Sequence, residues 1–395
     1  MKNNKNDIVL IDLFSGVGGF ALALRRAGFN ITHHYFSEID KHAIAVYRYH
    51  FKDAVYVGAI EHVSGKEIRA KHPGARVIIC FGWPCQDNSI AGKRRGHTEG
   101  SRSSLLLEAV RIIQEIQPDY FIAENVKGLY SVNGGVDFIE AIRLLSYLDS
   151  NLPQYYVEQQ LLNTRWFLPQ SRERAYFVGY PRKGGFRSIF PIKESDRANI
   201  HQEAKRNLRA RVQSGEKGVV HKNGELESMQ FSNCIDSSYH KGMDNHGQRT
   251  MVLCDSGQER ESVAPKRSNT GCGHGNYIKQ LNFSKESGGK QPYIQNRIFD
   301  KNGISPTVDG KAGVWSINST KIRRLTETEC ERLQGFPDNW TKYGVFYEKP
   351  KRKDFLFEDD VVLREISATQ RYKQMGNAVS VVVPQTIATK IINQL

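Results

Sequence analysis

Cys85 stands in an abrupt turn, Gly82-Trp83-Pro84-Cys85-Gln86, directly after the apolar run Val77–Phe81. A thiol on a turn beyond a buried strand is placed to be exposed and reactive, so nucleophilic addition is the chemistry it suggests. The plainer alternative is a buried structural cysteine, and Cys80, inside the run, fits that description better. Glu124 closes a second apolar run, Tyr120–Ala123, and is a candidate general acid; a carboxylate capping the next turn is its structural alternative. In Gln170-Ser171-Arg172-Glu173-Arg174, two arginines alternate at the entrance of a third run, Ala175–Tyr180. Alternate residues of a strand point the same way, so both can address a carbonyl oxygen or a phosphate.

A fourth segment, Asp12 to Phe20 (DLFSGVGGF), follows the apolar run Ile8–Leu13. Glycines at a strand-to-helix turn let a ligand approach the backbone, and an acidic residue at the end of the next strand can hold a ribose. Glu38 and Asp40, in SEID, occupy that place. The spacing departs from GxGxxG, which leaves a purely structural turn and a nicotinamide-dependent oxidoreductase as rival readings. Lys93, Arg94 and Arg95 lie between Asn88 and Arg102 with Gly92 and Gly96 as hinges, either a loop that closes on a phosphate backbone or a set of solvated charges. Six cysteines without CxxC pairing indicate neither a disulfide framework nor a zinc knuckle. Cys272 and His274 lack partners at ligand spacing, so no metal is expected.

The elements that must carry these residues alternate. Strands are read at Ile8–Leu13, Ile31–Phe36, Val77–Phe81, Tyr120–Ala123 and Ala175–Tyr180, and helices at Phe20–Ala27, Lys41–His50, Ser103–Ile116 and Phe138–Leu148. Such alternation implies right-handed crossovers and a mostly parallel α/β sheet. Ligands bind beyond the carboxyl ends of such strands, so Asp12–Gly19, Gly82–Gln86 and Glu124–Val126 should share one rim. From about Pro181 to Ile322 periodicity fades, and Gly, Ser, Asn, Lys and Arg dominate. We read this as a loop-rich second domain, with a disordered insert as the alternative. Order returns at Leu325–Leu333, a helix opened by Thr326 as N-cap with Glu329 at the capping-box position. The final helix, Val379–Ile392, is interrupted near its start by Pro384.

The 395 residues suggest two domains, and the formal net charge of +14 suggests a polyanionic partner, with a merely basic soluble protein as the alternative. The run after Ile8 is too short to span a bilayer and no cleavable signal pattern precedes it, so no membrane association is expected, and the scattered cysteines point to a reducing cytosol.

The ordered set DLFSGVGGF, SEID, GWPCQDNSIAGKRRG, ENV, QSRER, RRLTETECERLQGFPDNW and QMGNAVSVVVP resembles the DNA cytosine-5 methyltransferase family, of prokaryotic or phage type. The likeness covers nearly the whole chain except about Pro181–Ile322, where the family carries its variable target-recognition region. It implies a Rossmann-like S-adenosylmethionine-dependent methyltransferase domain with a second, smaller, loop-rich target-recognition domain. The boundaries expected are 1–185 for the catalytic and cofactor-binding domain, 186–340 for target recognition, 341–370 for a hinge or insertion, and 371–395 for a C-terminal helix returning to the catalytic domain.

By the same resemblance Cys85 is the nucleophile, Glu124 protonates or hydrogen-bonds cytosine N3, and Arg174 lies near cytosine O2 with Arg172 supporting that wall. Phe14, Gly16, Gly18, Glu38, Asp40, Pro84, Leu105 and Asn377 are the expected cofactor contacts. Gln86, Ser89, Lys93, Arg94, Arg95 and Thr307 are the expected DNA contacts, although Thr307 has a strand terminus as its alternative. Many members hold the adenine amino group with an acidic residue where this chain has Ala59; Glu61 is a candidate substitute.

The implied function is sequence-specific methylation of carbon 5 of a flipped-out cytosine in double-stranded DNA, with S-adenosylmethionine as donor and no metal. A monomer in the bacterial cytosol or nucleoid is expected, with a cognate restriction endonuclease as a candidate companion. An RNA cytosine-5 methyltransferase and a non-catalytic DNA-binding relative are the alternatives. The long basic segment argues against the first, and the presence of Cys85, Glu124 and Arg174 together argues against the second.

Overall fold

The computed structural model describes residues 6–84, 103–148, 150–196, 232–233, 251–255, 320–348 and 360–395. The first half runs β1 (Asp7–Leu13), α1 (Gly19–Arg26), β2 (Asn30–Ser37), α2 (Lys41–His50), β3 (Ala54–Tyr56), α3 (Gly65–Lys71), β4 (Val77–Gly82), α4 (Ser103–Ile116), β5 (Tyr120–Val126), α5 (Val136–Tyr147), β6 (Tyr155–Asn163), β7 (Gln170–Ser171) and β8 (Glu173–Pro181). Seven of these strands form one sheet in the order β3-β2-β1-β4-β5-β8-β6. The first five are parallel, and β8 is wedged antiparallel between β5 and β6. The sheet is thus mostly parallel, with a reversed strand that apolar patterning alone could not orient.

The chain moves outward from β1 to β3 and then crosses back to β4 on the other side of β1. This reversal opens a crevice at the carboxyl ends of β1 and β4. Register sets the rim: Leu13 lies beside Ser37 and Phe81, and Gly82 beside Glu124.

Alternation along each strand divides the core between the two faces of the sheet. Ile8, Leu10, Ile78, Cys80, Tyr120 and Ile122 face α1, α2 and the C-terminal part of the chain. Val9, Ile11, Ile79, Phe81, Phe121 and Ala123 face α3, α4 and α5. A fully buried aliphatic side chain contributes roughly 1.5–3 kcal/mol, so a sheet covered on both sides forms a rigid platform. Gly179 belongs to this platform, because a Cβ there would lie 2.0 Å from the Phe121 ring.

Beyond β8, the described part of the basic segment contains β9 (Ser232–Asn233), parallel to β7, and β10 (Met251–Asp255), antiparallel to β11 (Thr320–Arg324). Helix α6 (Glu327–Leu333) has the expected capping box between Thr326 and Glu329. Leu325, Cys330, Leu333, Phe336 and Trp340, expected on the recognition side of the boundary, are buried in the same cluster as α1. Between 341 and 370, where sequence suggested a hinge or insertion, β12 (Tyr343–Glu348) and β13 (Asp360–Glu365) form an antiparallel pair. It lies close on α2, since a Cβ on Gly344 would come within 2.8 Å of the Ala45 Cβ.

The C-terminal portion contains two helices, α7 (Ala368–Asn377) and α8 (Val382–Ile392). Pro384 therefore falls in the first turn of α8, where an amide hydrogen would have no helical acceptor, and does not break the helix. No helix among the described residues is long and apolar enough to cross a membrane.

Candidate active site

The turn after β1 is shaped by three left-handed residues, Phe14 (φ 51°), Gly16 (φ 53°) and Gly18 (φ 88°). Phe14 costs about 1 kcal/mol or more in that conformation, a strain characteristic of functional turns. Gly18 is required by packing, because a Cβ there would lie 2.3 Å from the Phe51 ring. At Gly16 a Cβ would meet nothing within 4 Å, so the backbone here borders open space. The Ser15 amide donates to Ser37 O (3.1 Å), which holds the turn against the end of β2. From the far end of the chain, Trp340 Nε1 donates to Val17 O (2.9 Å), and the Trp340 ring stacks on His50 at 3.5 Å.

Glu38 faces this turn. Its Oε2 accepts from the Gly16 amide (2.9 Å), and its Oε1 accepts from the amides of Ile39 (2.7 Å) and Asp40 (2.9 Å). A carboxylate has about four acceptor positions, so one remains for a hydroxyl of a ligand. Asp40, the second acid expected to contact the cofactor, has structural partners of its own. It is the N-cap of α2, accepting from His42 N and Ala43 N, and it pairs with Lys373 Nζ at 2.7 Å. Burial works to raise its pKa, but the Lys373 and amide hydrogen bonds outweigh it and hold the carboxyl below its usual range.

Between the two acids, Ile39 is 80% exposed. Sequence reasoning passed over this apolar residue; its only signal was its place between two carboxylates at a strand end. Across the rim, Pro84 and Asn377 are exposed, and Leu105 is half-buried in the first turn of α4. Ala59 caps a short turn of helix whose Glu61 is exposed. The open backbone at Gly16, the oriented Glu38 and the exposed Ile39 fit a ligand with a ribose and a flat apolar ring.

The second half of the site lies one strand over. Glu124 is buried at the end of β5, and its Oε1 pairs with Arg174 Nε at 3.0 Å. The antiparallel direction of β8 brings this about, because β8 enters the sheet at the rim and sets Arg174 opposite Val126. Asn125 Nδ2 donates to Trp83 O (3.1 Å), fixing the backbone just before Pro84. Trp83 is itself held between Phe81 and Phe177.

Arg172 is also buried, and its Nη2 donates to the carbonyls of Gly376 (3.2 Å) and Ala378 (3.1 Å). It therefore reaches the segment that carries Asn377, whereas sequence set it beside Arg174 on the base side. Cys80 is fully buried, and burial followed by the nearby Asp12 raises its thiol pKa well above the usual value, as befits an inert structural cysteine. Cys85, Gln86, Ser89, Lys93, Arg94, Arg95 and Thr307 lie outside the described residues.

The rim thus carries an acid held by three backbone amides on one side and a buried carboxylate–arginine pair on the other. A model of the C-5 cytosine-specific DNA methylase family matches residues 8–393, and the chain belongs to that family. The type II methyltransferase M.HpaII of Haemophilus parainfluenzae is 28% identical, with coverage of 100% of this chain and 91% of that protein. The type II methyltransferase M.HhaI of Haemophilus parahaemolyticus is 29% identical over 98% of this chain and 94% of its own.

Among solved structures, the Entamoeba histolytica methyltransferase EhMeth shares the fold with a TM-score of 0.54 at 17% identity, covering 98% of both chains. A mutant of Spodoptera frugiperda DNMT2 gives 0.52 at 17% identity, covering 96% of this chain and 97% of that one. The protein is a DNA cytosine-5 methyltransferase, and its family takes the methyl group from S-adenosylmethionine.

Proposed function

We propose that Cys85 adds as thiolate to carbon 6 of a cytosine flipped out of duplex DNA, and that Glu124 and Arg174 hold the opposite edge of that base. The observation that carries this reading is the β4–β5 register. It sets Glu124 beside Gly82, at the head of the turn leading to Cys85, with Arg174 at 3.0 Å. Aromatic carbon 5 is a poor nucleophile until carbon 6 is saturated. Glu124 stabilises the adduct by hydrogen-bonding or protonating N3, and Arg174 serves O2 while orienting Glu124. S-adenosylmethionine, when bound, supplies the electrophilic methyl group. Loss of the carbon 5 proton then allows Cys85 to leave.

Phe14, Gly16, Gly18, Glu38, Pro84, Leu105 and Asn377 border the proposed cofactor site, and Asp40 supports it by capping α2. Flipping the base costs a few kcal/mol. The basic segment, with the loop carrying Ser89 and Lys93–Arg95, supplies the grip on phosphate that offsets this cost. That segment is the proposed recognition domain, in a monomer of the bacterial cytosol or nucleoid whose companion is a restriction endonuclease of matching specificity.

The test is transfer of labelled methyl groups to plasmid DNA by the wild type and by Cys85→Ala, with bisulfite sequencing to read base and context together. Activity that persists undiminished in Cys85→Ala rules out the nucleophile assignment.

A further inference from the structure

Helix α7 ends at Asn377, and the last carbonyls of any helix lack partners within it. Here side chains from two distant segments satisfy them. Gln334 Nε2 donates to Met375 O (2.8 Å), and Arg172 Nη2 donates to Gly376 O and, just beyond the helix, Ala378 O. Gln334 also accepts the hydroxyl of Ser380 at its Oε1 and the amide of Val381 at its backbone oxygen (2.9 Å).

The segment from Met375 to Val381 is thereby held at both ends by one fully buried glutamine and at its middle by one buried arginine. Asn377 alone among its residues is exposed. The guanidinium suits this place doubly, since a cation is favourable at the negative end of a helix. Gln334 is in turn fixed by its neighbour: Gly335, at φ 79°, offers its carbonyl to Arg26 Nη1 at 2.7 Å, tying it to α1 behind the glycine turn.

The geometry points to Gln334 and Arg172 as positioning residues for the cofactor, acting through the backbone that carries Asn377. Neither need touch the ligand; together they set where Asn377 stands relative to Glu38 and the Gly16 turn. This inference rests on the proposed placement of Asn377 in the cofactor site. It also gives Arg172 and Arg174 separate duties, one toward the cofactor wall and one toward Glu124.

The experiment is a double-mutant cycle on the full chain, read by calorimetric binding of S-adenosylhomocysteine without DNA. Gln334→Met and Arg172→Lys are each expected to raise its Kd about tenfold. In an Asn377→Ala background the same substitutions should change Kd by less than about twofold, because their effect passes through Asn377. The KM for DNA of Gln334→Met should stay near that of the wild type.

Equal losses in both backgrounds would mean a general structural role and overturn the inference. So would an unchanged Kd for Gln334→Met where Asn377→Ala weakens binding. An unchanged Kd for Asn377→Ala itself overturns the placement of Asn377, and this inference with it. Should Gln334→Met fail to fold, Gln334→Glu takes its place in the cycle: it keeps the acceptor for Ser380, loses the donor to Met375, and its outcomes are judged in the same way.

Discussion

Two glycines in one turn should respond to the same substitution in opposite ways. In Gly18→Ala the new methyl group would lie 2.3 Å from Phe51 Cε2 and 3.2 Å from Tyr47 Cε2. Phe51 cannot swing aside: Tyr47 at 4.7 Å, His34 at 5.3 Å and Trp340 at 5.9 Å surround its ring, and the Arg25 guanidinium covers it at 4.8 Å. The left-handed backbone costs alanine roughly 1–2 kcal/mol. Overpacking adds roughly 1–3 kcal/mol. The expected loss is therefore about 2–5 kcal/mol, a large part of a net stability of about 5–15 kcal/mol.

Gly16→Ala carries only the backbone cost, because its methyl group meets nothing within 4 Å. It projects instead into the space a ligand would fill, so cofactor affinity should fall about tenfold or more. Urea unfolding of both variants, with calorimetric binding of S-adenosylhomocysteine, gives the two readings. If the two urea midpoints were equal, or if Gly16→Ala bound the ligand as the wild type does, the account of this turn would be wrong.

Glu124→Gln keeps the shape of the Arg174 contact but cannot deliver a proton, so kcat should fall about 10²–10⁴-fold with cofactor affinity unchanged, measured by single-turnover methyl transfer. His34 is buried, and burial followed by the charge of Arg25 brings its pKa from 6.5 down to about 4. The unfolded chain takes up that proton first, so this contribution is intact above pH 6.5 and is lost as pH falls toward 4, by up to about 3 kcal/mol. His34→Gln should flatten that part of the pH–stability curve, and a variant curve parallel to the wild type between pH 4 and 6.5 would exclude His34 as its source. Replacing residues 188–322 with the matching segment of a relative should change the methylated sequence and leave the chemistry intact; bisulfite sequencing of a folded chimera with unchanged site choice would move the recognition domain elsewhere.

The parts of the fold that were legible are those in which local pattern and tertiary role coincide. The apolar runs of β1, β4 and β5 are buried on both faces, and their glycine or acidic ends had to meet at one rim. The Thr326–Glu329 box marks its helix by chemistry confined to four residues. What escaped depends on pairing at long range. The strands β12 and β13 are separated by residues 349–359 and carry no tight-turn signature, so they read as a hinge. Among the described residues β6 pairs only with β8, and its exposed and half-buried residues blur the alternation. The N-cap role of Asp40 gave no signal because its partner Lys373 lies 333 residues along the chain, and Gln334 gave none because its side-chain contacts, Met375 and Ser380, lie 41 and 46 residues away.

The brace from Trp340 to Val17 has a consequence for synthesis. The glycine turn after β1 is encoded early in the chain, yet its support comes from Trp340, and the Asp40 cap of α2 is held by Lys373. A ribosome must pass residue 340 before this brace can form, and contacts this distant in sequence form late and slowly. A fragment that ends before Trp340 lacks this brace on the glycine turn.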